Sequence, residues 1–155
     1  MTALLEAYTE KIASGEARAD AAQAAIISRL DHLAQALEAR EQRGTLGRLL
    51  NRNGVPKGVY IYGDVGRGKT MLMDLFFANL QVKAKQRIHF HAFMQGIHQR
   101  RRALRETDVL AQIATDISKQ AQVLCLDEMQ ISDIADASRL DAELNRRANQ
   151  LARAA

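Results

Sequence analysis

Two places in the chain carry residue types at a spacing that could do chemistry: Gly63-Asp64-Val65-Gly66-Arg67-Gly68-Lys69-Thr70, and the acidic pair Asp127-Glu128. The first matches the pattern G-x-x-x-x-G-K-T. Its glycines let a loop turn backbone N–H groups onto a β-phosphate at the start of a helix, whose N-terminal dipole favours anions. Lys69 is spaced to reach the β- and γ-phosphates, and the Thr70 hydroxyl to ligate Mg²⁺. The candidate nucleotide-binding residues are therefore Gly63, Asp64, Val65, Gly66, Arg67, Gly68, Lys69, Thr70 and Met71. An accidental match is the plain alternative. A β-rich tetrad before the loop and an apolar helical run after it are the context that the phosphate reading needs.

The second place closes an apolar run, Leu124-Cys125-Leu126-Asp127-Glu128. An acid at the end of a buried strand can hold a Mg²⁺ shell, the role read for Asp127, and the next acid, Glu128, can orient and deprotonate an attacking water. By itself such a pair equally describes a strand end at the surface. Behind a phosphate loop it gains weight. The expected catalytic residues are Glu128 and Lys69, the expected metal ligands are Thr70 and Asp127, and the expected cofactors are ATP and Mg²⁺. GTP is disfavoured, because the chain has no Asn-Lys-x-Asp motif for reading guanine and no glycine three residues after Asp127.

Weaker candidates have blander readings. His89 and His91 fall on one face of a strand, as two metal ligands would, but no cysteine or acid stands at zinc-like spacing from them. Arg100, Arg101, Arg102 and Arg105 could meet nucleic acid. Without aromatic residues beside them for base stacking, a solvated helix face explains them better. Arg139, Arg146 and Arg147 are compatible with an arginine finger and equally with solvated charge.

Elements must hold these residues in place. Leu4, Leu5, Tyr8 and Ile12 predict a first helix, closed by Ser14-Gly15. Asp20 then caps a longer helix, with Gln23 in a variant of the capping box. Ile26, Leu30, Leu33 and Leu37 form its apolar stripe. The stretch from Gly44 to Gly58 carries four of the nine glycines and the only proline, Pro56, so it reads as a connector with one helical turn. Beyond it the pattern predicts a strand at Val59–Tyr62, a buried helix from Met71 to Leu80 and a second strand from Arg87 to His91. Helices from Phe93 to Glu106 and from Val109 to Gln120 follow, and then a third strand at Val123–Leu126, apolar as strands buried on both faces are. Strands alternating with helices imply an α/β fold with a parallel sheet. The tail after Asp136 carries a thin helical stripe of Leu140, Leu144, Ala148 and Leu151.

Composition is that of a soluble globular protein: 155 residues, 47% hydrophobic, 26% charged. A net charge of +4 suits an anionic ligand as readily as nucleic acid. The single cysteine, Cys125, excludes an internal disulfide and suits a reducing compartment. No apolar run is long enough to span a bilayer, and the N-terminus lacks the pattern of a signal or transit peptide, so the expected location is cytoplasmic.

GVYIYGDVGRGKTMLMDLFF, RIHFHAFMQGIHQR and VLCLDEMQISDIADA together resemble the AFG-one-like ATPases, the family whose bacterial branch is the ZapE cell-division group. Asp20-Ala21-Ala22-Gln23 and Pro56-Lys57-Gly58 match as well, so the resemblance runs from about Leu5 to Ala137. It implies an AAA+-type P-loop NTPase core that binds and hydrolyses ATP with Mg²⁺. It also implies a link to cell division, with the division-ring protein FtsZ or other family subunits as partners. Gly63 to Thr70 become the nucleotide loop and Asp127-Glu128 the Walker B pair, while His89, His91, Phe93 and Met94 lie in a signature of unassigned role. Asp64 and Ala92 are small departures. Residues 138–155 match none of the family's later elements, among them the sensor strand that lies between the Walker strands and the arginine finger.

The resulting expectation is an N-terminal helical segment (1–43), a connector (44–57), an incomplete P-loop core (58–137) and a helical tail (138–155). With the sensor strand missing, both Walker strands lose backbone partners, at about 1–3 kcal/mol for each buried group left unbonded. Val59–Tyr62 and Val123–Leu126 are then expected to be loosely held. The alternative to an ATPase is a non-hydrolysing interaction fragment of one.

Overall fold

The computed structural model describes residues 2–43, 56–63, 66, 68–103, 109–128 and 142. They fall into two units, one drawn from Met1–Gly44 and Pro56–Val82, the other from Lys83–Ala155.

The first unit is helical. α1 (Ala3–Ala13) begins at Thr2, whose hydroxyl oxygen accepts from the Leu5 N–H, and ends at Ser14. Gly15 follows with φ +79°, the left-handed turn that only glycine adopts at no steric cost. α2 (Ala21–Gln42) is capped as its sequence predicts: Asp20 accepts from the N–H groups of Ala22 and Gln23 at 2.7 and 3.2 Å. Its inward face differs from the expected stripe. Ile27, Leu30, Asp31 and Ala34 are buried, whereas Ile26, Leu33 and Leu37 are only half-buried. The polar Asp31 turns the face by one residue. Thr2 donates its hydroxyl to one Asp31 oxygen and Gln35 donates to the other at 2.7 Å, which makes its burial tolerable and sets a carboxylate at the N-terminus of α1, where a helix favours negative charge. α3 (Lys69–Asn79) packs Leu72, Leu75 and Phe76 against α1 and α2. The Gln81 N–H then donates to Glu38 on α2 at 2.8 Å.

Val59–Tyr62 is not a strand. It pairs with nothing among the described residues, and Tyr60 and Tyr62 are 52% and 81% exposed, their rings stacked on each other at 6.1 Å. Strand propensity describes fit to a pleated, half-buried surface, and the described residues supply none here.

The second unit holds the sheet. β1 (Lys85–His89) runs straight into α4 (Phe90–Ala103); α5 (Val109–Gln120) and β2 (Val123–Asp127) follow. β1 and β2 pair in parallel, Lys85 opposite Val123 through His89 opposite Asp127, a geometry that needs a crossover such as α4–α5 supplies. The expected second strand thus lies two residues earlier, and His91 stands in the first turn of α4. β2 alternates buried (Val123, Cys125, Asp127) with half-buried residues (Leu124, Leu126) instead of being covered equally on both faces. Leu124 and Leu126 pack with Ile88 against a core of Phe93, Ile97 and Ile113. No described helix is long and apolar enough to cross a membrane. The expected connector up to Val55 and the tail stripe at Leu140, Leu144, Ala148 and Leu151 lie outside the described residues.

Candidate nucleotide site

Each unit carries one group of the residues that the sequence singles out. In the first, Gly68 is the residue before α3, left-handed at φ +76°, and no side chain caps the helix there. The N–H groups of a helix's first turn have no carbonyl partner within the helix itself. Gly63 and Gly66 also have positive φ, 145° and 81°. Lys69 closes the loop, donating from Nζ to the Gly63 carbonyl at 2.8 Å, and Thr70 is exposed in the first turn. Glycine-shaped backbone, a helix N-terminus and an ammonium group form a donor set that fits a polyphosphate. A residue with a side chain at Gly68 would be strained, and its Cβ would stand 3.0 Å from Nε2 of Gln23 on α2. The Gln23 Oε1 in turn accepts from the Tyr8 hydroxyl at 3.5 Å. Burial, and after it the nearby Asp20 carboxylate, raises the Tyr8 phenol pKa above its ordinary value.

In the second unit the register brings His89 level with Asp127, at the end of the sheet. Asp127 is buried and both of its carboxylate oxygens are engaged. Arg87 donates to Oδ2 at 2.8 Å, and the Glu128 N–H donates to Oδ1 at 3.0 Å. Glu128 itself sits at φ +60°, the one non-glycine residue with positive φ among those described. Its side chain is exposed, with Oε2 3.8 Å from Nδ1 of His89. Non-glycine residues in this conformation concentrate at functional sites, where surrounding structure holds them against strain. Burial pushes the Cys125 thiol pKa up, and the positive charges of Arg87 and Lys85 partly offset that.

The AFG1-like ATPase family model matches residues 2–151. The chain belongs to that family. An uncharacterized protein of Schizosaccharomyces pombe is 43% identical over 140 residues, 86% of this chain and 30% of the relative. The cell division protein ZapE of Escherichia coli is 50% identical over 82 residues, 52% of this chain and 22% of that protein. Lactation elevated protein 1 homolog B of Danio rerio is 40% identical over 94 residues, covering 53% and 19%. The chain spans less than a third of the length of each of these relatives. No solved structure gives a significant match. Membership in the AFG1-like ATPases makes the fold that of a P-loop NTPase, in agreement with the parallel α/β unit.

Among the residues expected from sequence, Gly63, Gly66, Gly68, Lys69, Thr70 and Met71 lie together in the first unit, and Asp127 and Glu128 in the second. Asp64, Val65 and Arg67 lie outside the described residues, as do Arg105, Arg139, Arg146 and Arg147. His89 and His91 do not share a strand face: His89 approaches Glu128, while His91 meets Gln95 one turn along α4 at 3.1 Å. Arg100 is exposed on α4, as a solvated face requires. Two residues escaped the motif reading. Arg87 was invisible because its partner depends on strand register, and Gln23 because its place in a capping pattern explained it locally.

Proposed function

We propose that the chain is a Mg²⁺-dependent ATP-binding domain that hydrolyses ATP, using Lys69, Thr70, Asp127 and Glu128. The observation that carries this is the left-handed Gly68 opening α3 at Lys69, with the lysine drawn across the loop to Gly63. Lys69 would turn from that carbonyl to the β- and γ-phosphates. The Thr70 hydroxyl and the Asp127 carboxylate are hard oxygen ligands suited to Mg²⁺, which when bound neutralises charge on the phosphates. Glu128, exposed beyond the strand end, would accept a proton from the water whose oxygen attacks the γ-phosphorus, with ADP as the leaving group. Titrating Mg·ATP into the chain and into Lys69→Ala tests the site. Binding is expected only in the first, and equal binding overturns the reading. Glu128→Gln should bind ATP and not turn it over.

A second reading, a nucleotide-binding interaction fragment without turnover, is supported by one contact. The Arg87 guanidinium occupies the Asp127 oxygen that a Mg²⁺ shell would use. Steady Mg²⁺-dependent phosphate release by the purified chain decides against that reading. A role in cell division, with FtsZ or other family subunits as partners, would follow from the likeness to the Escherichia coli protein. Co-purification with those partners tests it.

A further inference from the structure

We propose that His89, the last residue of β1, positions the Glu128 carboxylate for its work on the attacking water. This rests on the reading above that Glu128 is the general base, and it gives a role to a histidine that the motifs left without one. β1 and β2 pair in parallel with His89 level with Asp127, so the ladder delivers the imidazole to the end of the sheet from which Glu128 follows. Glu128 is set from its own side too. Its N–H donates to Oδ1 of Asp127 at 3.0 Å, and its φ of +60° turns the chain out of the strand. The two side chains then meet, with Nδ1 of His89 standing 3.8 Å from Oε2 of Glu128. Among the described residues neither the ring nor the carboxylate has another hydrogen bond or ion pair. His91 turns instead to Gln95, so the His89 ring acts singly. An Nδ1–H donates to a carboxylate whether the ring is charged or is neutral in that tautomer, so the contact does not depend on a titration. The separation exceeds a hydrogen bond by about 1 Å, and catalytic contacts commonly tighten only once substrate is bound. Both side chains are mostly exposed, which leaves room for that closure. With Oε2 held by the ring, Oε1 stays open to take the proton of the water whose oxygen bonds the γ-phosphorus as ADP leaves. The imidazole keeps its own proton throughout. His89 is thus a positioning residue that acts through Glu128 and not on the nucleotide.

The test measures Mg²⁺-dependent phosphate release from ATP by wild type, His89→Ala, His89→Asn and Glu128→Gln in the full chain. Circular dichroism establishes that each variant keeps the secondary structure of wild type. His89→Ala is expected to lower kcat about tenfold, the value of one hydrogen bond to a charged group, while KM for Mg·ATP stays within about twofold. His89→Asn places an amide N–H close to where Nδ1–H stood, so it should recover most of the lost kcat. A merely structural role would not give rescue by a side chain of different shape. A second readout needs no turnover: in the ¹⁵N-labelled chain, Glu128→Gln should move the His89 ring resonances more than those of His32, His91 and His98. An unmoved His89 ring overturns the inference. So does a loss that appears in KM with kcat kept, which would place the ring on the nucleotide. A His89→Ala chain faster than wild type, or an asparagine variant no better than the alanine one, overturns it as well. If wild type releases no phosphate from Mg·ATP, both the general-base reading and this inference fall. If wild type turns ATP over, Glu128→Gln does not, and His89→Ala matches wild type, this inference falls alone.

Discussion

Val59-Tyr60-Ile61-Tyr62 and Val123-Leu124-Cys125-Leu126 look alike as sequence: four β-favouring or apolar residues before a group of candidate site residues. One is a largely exposed segment without regular structure, its two tyrosines stacked on each other, and the other is a strand with every residue in register against β1. What separates them is the partner. β2 finds β1 through a crossover that also delivers Phe93, Ile97 and Ile113 to its half-buried face. Val59–Tyr62 finds no ladder among the described residues. Apolar character makes a strand possible, and a neighbouring edge makes it happen. The same contrast separates the two groups of candidate residues. The phosphate loop needs only local backbone freedom and the start of a helix, whereas the acidic pair is shaped by a strand forty residues away.

The contrast can be broken most forcefully at the core under β2. Ile113→Ala should cost the second unit about 3 kcal/mol, the usual range for emptying a fully buried site, measured by denaturant titration. A loss under about 1 kcal/mol would mean that the cluster does not hold the sheet. Next comes amide exchange. Residues 123–127 should exchange about a hundredfold more slowly than 59–62, equivalent to about 2.7 kcal/mol of local opening. Mass spectrometry of exchanged peptides checks this, and equal rates would show that the sheet is no better held than the unpaired segment.

Arg87→Met should destabilise the chain by about 1–2 kcal/mol, discounted for the partial exposure of Arg87, because it leaves the Asp127 carboxylate buried with only the Glu128 N–H. An unchanged melting temperature would sink the pairing. The pH effect of Cys125 is smaller. Its thiol holds a proton in the folded state that the unfolded chain releases, so its contribution is full below the ordinary thiol range and declines as pH rises through the elevated folded value. Wild type should therefore lose stability more steeply than Cys125→Ala between pH 8 and pH 10 (about the span of the thiol range), and parallel curves would remove the effect. Smallest of all, Tyr62→Ser should change stability by less than about 0.5 kcal/mol, since the side chain is already in solvent. A larger loss would mean that the segment is packed after all.

What the residues alone determined was everything that depends on near neighbours in the chain. Asp20 caps α2 because its side chain needs only the next two or three N–H groups. The glycine spacing of 63–68 marks a loop because left-handed φ is a single-residue property, and α5 occupies Val109–Gln120 because its apolar period is helical. The tertiary structure decided what depends on partners distant in sequence. It turned α2 by one residue, since Thr2 and Gln35 make a buried Asp31 tolerable and a hydropathy pattern cannot count a satisfied charge. It left Val59–Tyr62 without a ladder among the described residues, because strand formation is settled by an edge and not by the tetrad itself. It set Arg87 on Asp127 and Gln23 against Gly68 through a strand register and a helix packing that no local spacing encodes. Short-range hydrogen bonds and allowed dihedrals are written residue by residue, whereas the pairing of distant polar groups exists only once the chain has closed the space between them.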